Sequence, residues 1–95
     1  GKALDTGTKG YLVTPSIMFV KSNDFEQNRR SVYLQTEIFG PNLAVQSFDE
    51  SEEALQLANN NQFPLAVSVC SESESRFNSY AMELRYSRVI WNQST

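Results

Sequence analysis

The chain has 95 residues, of which 40% are hydrophobic and 20% charged, and its formal net charge is −3 at pH 7. This length predicts one domain over residues 1–95 with a thin core, so that a partner surface could contribute to its stability. The acidic balance argues against non-specific binding to nucleic acid or anionic membranes. No stretch approaches the roughly 20 apolar residues of a membrane span, and the first ten residues lack the apolar region of a signal peptide.

The chain contains one cysteine, Cys70, and no histidine. A single cysteine excludes an intramolecular disulfide framework and fits a reducing compartment, so we expect a cytoplasmic protein. Without histidine, Ser-His-Asp and Cys-His catalysis are excluded and no metal site is expected. No histidine or lysine flanks Cys70 to lower its pKa, and we therefore predict a structural role for it.

The first half of the chain reads as extended segments separated by a polar stretch. Residues 1–10 are polar and rich in glycine, and they read as a loose lead-in. Residues 11–20 read as a strand in which Pro15 marks a bulge or an edge. The polar residues 21–31 indicate a loop or a short helix, and the alternation over residues 42–48 predicts the next strand.

A helix is predicted after Asp49. The Asp49 side chain can accept a hydrogen bond from the amide of Glu52, and Glu52 can reach back, which is a capping-box pattern. Three asparagines at positions 59–61 end the helix, because asparagine tolerates the left-handed conformation that often closes helices. The apolar stripe of this helix consists of Ala54, Leu55 and Ala58, with Leu57 beside it.

The remaining residues predict a strand, a second helix and a last strand. Residues 64–71 are rich in β-formers, and residues 88–91 form the final short strand. Between them, Ser71 and Glu74 could cap a helix. The order β-β-α-β-α-β predicts an α/β fold with a largely parallel sheet. The apolar face of the second helix contains Phe77, Tyr80, Ala81 and Leu84.

One long stretch of the sequence, TEIFGPNLAVQSFDESEEALQLANNNQFPLAVSV, resembles the aldehyde dehydrogenase superfamily. The upstream LVTPSI and the downstream RVIWN resemble strands of the same family, and together they lean toward succinylglutamate semialdehyde dehydrogenases. The residues that match the family pattern at its expected spacing are Glu37, Phe39, Gly40, Pro41, Glu53, Ala54, Leu57, Ala58, Asn59, Phe63 and Leu65.

The resemblance implies that the chain corresponds to the later part of an NAD(P)-dependent catalytic domain. In the family, the cysteine nucleophile, the glutamate base and the oxyanion-stabilising asparagine all lie upstream of this part. The chain alone is therefore expected to be inactive and to bind NAD or NADP weakly or not at all. Its expected partners are the remainder of a larger dehydrogenase or further copies of itself. The alternative is a self-associating or partner-binding domain that kept the fold without the chemistry.

The resemblance also implies roles for individual residues. Glu37 would hold the ribose on the nicotinamide side of the cofactor, and Phe39 would lie near the nicotinamide ring. Leu65 would lie beside the cofactor, and Asn92 near the aldehyde pocket. The alternatives are a solvated turn residue for Glu37, core residues for Phe39 and Leu65, and a strand-end cap for Asn92.

Several residues depart from the family pattern. Pro64 and Ser87 stand where glycine is usual, and Ser16 replaces another glycine. Thr36 replaces a common second acidic residue. Because proline fixes φ near −65° and has no amide donor, we expect the turn at Pro64 to differ in detail.

Overall fold

The computed structural model describes residues 1–7, 9–21 and 24–95. Strands and helices alternate along most of this part of the chain, which confirms the predicted α/β class. The elements in chain order are β1 (Ala3–Leu4), β2 (Leu12–Val13), β3 (Ser16–Val20), α1 (Phe25–Arg30), β4 (Asn42–Gln46), α2 (Ser51–Asn59), β5 (Ala66–Val69), α3 (Glu74–Glu83) and β6 (Arg88–Trp91).

The six strands found among the described residues pair into three two-stranded sheets. Strands β3 and β4 are parallel, and so are β5 and β6, whereas β1 and β2 are antiparallel. In both parallel pairs a helix lies in the sequence between the two strands, as a crossover connection requires. Parallel pairing is thus confirmed, but the strands do not join into one sheet.

The prediction of a loose lead-in over residues 1–10 was wrong for its first part. Ala3 pairs with Val13 and Leu4 with Leu12. The amide of Thr14 also donates to the Lys2 carbonyl at 2.8 Å. The strand β1 was not predicted, because its two residues lie in a mostly polar segment. Its partner β2 ends two residues before Pro15. Position 8, which belongs to the predicted lead-in, lies outside the described residues.

Helix α1 settles the polar stretch at residues 21–31 in favour of a short helix. The Asp24 side chain accepts a hydrogen bond from the Gln27 amide at 2.7 Å and caps the helix. Positions 22 and 23 of this stretch lie outside the described residues. A six-residue helix has too few turns to show an apolar period, which explains why its sequence left the choice open.

Helix α2 begins two residues later than Asp49, and the predicted pairing of Asp49 with Glu52 was wrong. The N-cap residue is Glu50, and its side chain makes no capping hydrogen bond. Instead, the carboxylate of Glu53 accepts a hydrogen bond from the Asp49 amide at 3.0 Å. The reach-back interaction of a capping box is thus present with Glu53, four residues from its donor.

The predicted cap of α3 by Ser71 was also wrong. The N-cap is Ser73, whose hydroxyl accepts from the Arg76 amide at 3.2 Å. The Ser71 hydroxyl accepts from the Ser73 amide at 3.1 Å, which is a local turn stabilised by a serine side chain. Three serines spaced two residues apart, at positions 71, 73 and 75, made the capping position ambiguous in the sequence.

The end of α2 does not use a left-handed asparagine. Its C-cap, Asn60, has φ −81° and ψ 56°, and its amide donates to the Leu57 carbonyl. Among the described residues other than glycine, positive φ occurs at Asn92, with φ 51°. An asparagine does adopt the left-handed conformation, as predicted, but it is Asn92 after β6 and not an asparagine at the end of α2.

The core is smaller than the length of the chain predicts. Leu55 on α2, 8% exposed, is the buried hydrophobic residue of the described chain. The radius of gyration is 15.9 Å, against about 12 Å for a compact domain of this length. Much apolar surface, including most of the β3–β4 pair, is consequently open to solvent.

Candidate cofactor-side site

The segment at residues 36–41 is irregular but fixed at both ends. At its start, the Thr36 hydroxyl donates to the Val32 carbonyl, which ties the segment to the turn after α1. At its end, the Pro41 carbonyl accepts from the Ser16 amide at 2.9 Å and opens the parallel ladder of β3 and β4. The intervening residues are thus held between two anchors without belonging to a regular element.

Glu37 and Phe39 project from this anchored segment into solvent. Phe39 is 92% exposed, so it is not a core aromatic of the described chain. Glu37 is exposed as well, and no hydrogen bond or ion pair occupies its carboxylate within residues 1–7, 9–21 and 24–95. An ionised carboxylate has two oxygens that accept hydrogen bonds and none that donate. Within the described part of the chain, an unpaired carboxylate therefore lies two residues from an exposed aromatic ring.

Proline-centred turns lead into both β4 and β5. The Asn42 amide donates to the Gly40 carbonyl across Pro41, and the Leu65 amide donates to the Phe63 carbonyl across Pro64, both at 2.9 Å. Such three-residue turns need φ near −75° at the central residue, a value that proline adopts readily. The same local device thus starts a parallel pair twice in this chain.

The turn at Pro64 explains how proline replaces the expected glycine. The carbonyl of Pro64 accepts from the Ser87 amide at 3.1 Å and from its hydroxyl at 3.4 Å. Proline keeps its carbonyl acceptor, and the missing amide is not needed at this point of the ladder. The predicted difference from a turn with glycine is therefore that proline fixes φ at position 64. The hydrogen bond that starts the pairing of β5 with β6 is still made.

Leu65 follows this turn and is 74% exposed, so it is not a core residue of the described chain. It directly precedes β5, whereas Phe39 and Glu37 lie three and five residues before the first residue of β4, Asn42. All three residues predicted to contact the cofactor thus lie on the amino-terminal side of a parallel strand. Their contacts with a cofactor remain predictions.

Asn92 lies at the opposite end, just after β6. Its side-chain oxygen accepts from the Ser71 amide at 2.8 Å, and its side-chain nitrogen donates to the Ser71 carbonyl at 2.9 Å. The Trp91 indole donates to the same carbonyl at 2.9 Å. This geometry is that of a strand-end cap, one of the two alternatives for Asn92, and a role in the aldehyde pocket stays a prediction.

The structure does not bring Leu65 and Asn92 together. Strands β5 and β6 are parallel, and the Arg88 amide donates to the Leu65 carbonyl at the start of the pair. At about 3.3 Å per residue, Asn92 lies roughly 13 Å further along the sheet. A single small group could not contact both side chains, so Leu65 and Asn92 lie at opposite ends of the β5–β6 pair.

Cys70 is a free and exposed thiol at the end of β5. It lies beside an apolar groove of about 260 Å³ between the helices and β5, with Leu55, Ala58 and Tyr80 among the lining residues. Nothing in the described chain assigns it a nucleophilic role, and the predicted structural role remains a prediction.

Asn59 has a structural role that the sequence did not predict. Its side-chain nitrogen donates to the Glu83 carbonyl at 2.9 Å, and its oxygen accepts from the Arg85 amide at 2.8 Å. The Tyr86 hydroxyl donates to the Ala58 carbonyl at 2.7 Å beside it. Asn59 thus joins the end of α2 to the turn between α3 and β6. The only signal in the sequence was that Asn59 follows Leu57 and Ala58 among the residues that match the family pattern.

Two features are absent from the part of the chain that the structure describes. In the described ranges, no three cysteine, aspartate or glutamate side chains gather into a group that could hold a metal ion. No described helix is both long enough and apolar enough to cross a membrane.

Comparison with known proteins identifies the family. The profile of the aldehyde dehydrogenase family matches residues 1–95. "Aldehyde dehydrogenase family 2 member C4" of Arabidopsis thaliana is 32% identical over 91 residues, covering 96% of this chain and 16% of that protein. N-succinylglutamate 5-semialdehyde dehydrogenase of Escherichia coli O157:H7 is 39% identical over 57 residues, covering 60% of this chain and 12% of that protein.

A solved structure supports the same assignment. Indole-3-acetaldehyde dehydrogenase of P. syringae, in complex with NAD+ and IAA, superposes with a TM-score of 0.82 at 36% identity, covering 98% of this chain and 18% of that chain. The chain described here belongs to the aldehyde dehydrogenase family, whose members use NAD or NADP. It spans less than a fifth of the length of these relatives.

Proposed function

We propose that the chain forms the nicotinamide side of the cofactor site of an NAD(P)-dependent aldehyde dehydrogenase. The observation that carries the proposal is the carboxylate of Glu37, which has no partner among the described residues, two positions from the exposed ring of Phe39 on a segment anchored to Val32 and Ser16. An anchored backbone limits where the two side chains can point, and preorganisation of this kind reduces the entropy lost on binding.

In this function the two side chains position the cofactor and do not react. The two oxygens of Glu37 accept hydrogen bonds from the two adjacent ribose hydroxyls of the nicotinamide nucleotide. Phe39 offers a flat apolar surface that restricts the orientation of the nicotinamide ring. Leu65 provides a further apolar contact, and Asn92 acts near the aldehyde. Hydride transfer then takes place between groups held in a fixed geometry.

The substrate that we propose is a semialdehyde. The support is the similarity to N-succinylglutamate 5-semialdehyde dehydrogenase of E. coli, at 39% identity over 57 residues. The site residues proposed here contact only the nicotinamide half of the cofactor, which NAD and NADP share.

We further propose that the chain alone is catalytically inactive and that it acts in the cytoplasm. Aldehyde oxidation in this family needs an activated thiol, and the single thiol of this chain, the exposed Cys70, has no histidine or lysine beside it in the sequence to lower its pKa. Its partner is the remainder of a larger dehydrogenase. A second candidate function is that of a self-associating domain, and the exposed apolar residues of β3 and β4 favour it.

A graft into a relative tests the cofactor role. The chain replaces the matching segment of the P. syringae indole-3-acetaldehyde dehydrogenase, and NAD-dependent aldehyde oxidation is measured with and without Glu37→Gln. Glutamine keeps the size but replaces a charged acceptor by a neutral one. We expect the KM for NAD to rise by about tenfold, because charge-assisted hydrogen bonds exceed neutral ones by about 1.4 kcal/mol.

The control in the same graft is Glu72→Gln, which changes an exposed glutamate in the turn before α3. It should leave the KM for NAD unchanged. Equal KM values in the two variants would contradict the role of Glu37. Aldehyde oxidation by the purified 95-residue chain would contradict its proposed inactivity.

A further inference from the structure

A hydrogen bond between two side chains joins the two ends of the segment that carries Glu37 and Phe39. The Tyr33 hydroxyl, in the turn after α1, donates to the side-chain oxygen of Asn42, the first residue of β4, at 2.5 Å. The two residues are nine positions apart, and both are partly buried. The bond therefore spans residues 36–41 and closes them into a loop.

The start of this loop is also attached to the end of α2. The side-chain nitrogen of Gln35 donates to the Asn60 carbonyl at 3.0 Å, and the Gln35 amide donates to the Ser31 carbonyl at 3.0 Å. Asn60 is the C-cap of α2, the helix that contains the buried Leu55. A contact that closes the loop at Tyr33 therefore fixes its position relative to α2 as well as its shape.

The side chain of Tyr33 suits this role. Its ring is rigid and turns about only two torsions, so the hydroxyl at its end is held at a defined distance from the backbone. A loop whose ends are joined has fewer conformations than an open one, and a group that is already in place loses less entropy when a ligand binds. Glu37 and Phe39 are exposed within this loop, so their backbone is restricted while their side chains remain accessible.

We propose that Tyr33 is a positioning residue of the cofactor site, which holds Glu37 and Phe39 in place through its hydrogen bond to Asn42. Tyr33 acts through these residues and needs no contact of its own with the cofactor. The consequence for cofactor binding rests on the proposed function, whereas the placement of the loop is a property of the chain alone. Separate measurements can therefore test the placement and its consequence.

NMR relaxation of the 95-residue chain, without cofactor, tests the placement. Tyr33→Phe removes the hydroxyl and keeps the ring. We expect the backbone order parameters of residues 37–39 to fall from the rigid range near about 0.85 toward the flexible range below about 0.6. Asn42→Ala removes the acceptor and should have the same effect. The matched control is Tyr86→Phe, which removes a partly buried hydroxyl bonded to the Ala58 carbonyl and should leave residues 37–39 unchanged.

The kinetics of the grafted dehydrogenase test the consequence. Tyr33→Phe should raise the KM for NAD about threefold, because the net contribution of one neutral hydrogen bond is modest. Tyr86→Phe should leave this KM unchanged. In the Glu37→Gln background, Tyr33→Phe should raise the KM by a smaller factor, because the carboxylate that Tyr33 places is no longer there.

Circular dichroism verifies that each variant is folded, and Asn42→Ala replaces Tyr33→Phe if the latter does not fold. Unchanged order parameters in Tyr33→Phe would overturn the proposal. So would a KM for NAD that Tyr33→Phe raises no more than Tyr86→Phe, or by the same factor with and without Glu37→Gln. A KM that Glu37→Gln does not change would instead contradict the proposed function, and the order parameters would still decide whether Tyr33 places the loop.

Discussion

The two parallel pairs of this chain have the same local construction and opposite surroundings. Both are entered through a proline-centred turn, and both have a helix between their strands. Every residue of β5 is partly buried, whereas β3 exposes its three central residues. The β5–β6 pair is held by Asn92 and by the stacking of Phe77 on Trp91, whose ring centroids are 5.5 Å apart, and Asn59 joins α2 to the turn before β6. The comparison shows that the same backbone pairing forms both where side chains cover the sheet and where they do not.

The largest expected loss of stability comes from a substitution in α2, in the better covered half of the chain. Leu55→Ala removes the buried apolar side chain of α2, and we expect it to lower the free energy of unfolding by about 2–4 kcal/mol. Urea unfolding at one fixed protein concentration, followed by the fluorescence of Trp91, measures it. Leu65→Ala removes the same atoms from an exposed position and should cost less than about 0.5 kcal/mol. Similar losses for the two variants would show that α2 does not carry the core.

A smaller loss of stability is expected where side-chain hydrogen bonds to the backbone, and not apolar packing, are removed. We call the two hydrogen bonds of the Asn59 side chain the clamp at Asn59. Asn59→Ala removes two hydrogen bonds to the backbone of Glu83 and Arg85, and it should destabilise the chain by about 1–2 kcal/mol in the same urea experiment. Asn78→Ala, at an exposed position of α3, is the matched control and should have almost no effect. A stability loss below that of the control would mean that water replaces the clamp without cost.

The smallest effect concerns the backbone of Asn92. Asn92→Ala loses the two hydrogen bonds to Ser71 and places a side chain that tolerates φ 51° poorly. Asn92→Gly loses the same bonds but adopts this angle without strain. We therefore expect alanine to be less stable than glycine by about 1 kcal/mol. Equal stability of the two variants would assign the whole effect to the side-chain amide.

The fold class and the family could be predicted from the sequence because their signals are local. The strand at residues 88–91 was predicted at its observed bounds, and Pro15, expected to mark a bulge or an edge in the strand at residues 11–20, separates β2 from β3. Helix starts were displaced by up to two residues, because neighbouring acidic or serine residues compete for the same capping role. The β1 strand was missed because two residues are too few to show alternation.

The candidate site could be predicted only in part. Glu37 and Phe39 were predicted from their motif, and the structure adds that both are exposed and that the segment of residues 36–41 that contains them is anchored at both ends. The clamp at Asn59 depends on partners 24 and 26 residues away. Periodicity and capping rules consider only neighbours within a few positions, so contacts of this kind stay outside their reach.

The clamp at Asn59 also bears on how the chain reaches its fold. The bonds of Asn59 and Tyr86 close loops of 24 to 28 residues, and the entropy of loop closure grows only with the logarithm of loop length. These contacts are therefore inexpensive to form and need no distant part of the sequence. The segment from α2 to β6 can accordingly fold early as one unit. The β3–β4 pair would then be covered only later, by a surface outside this segment.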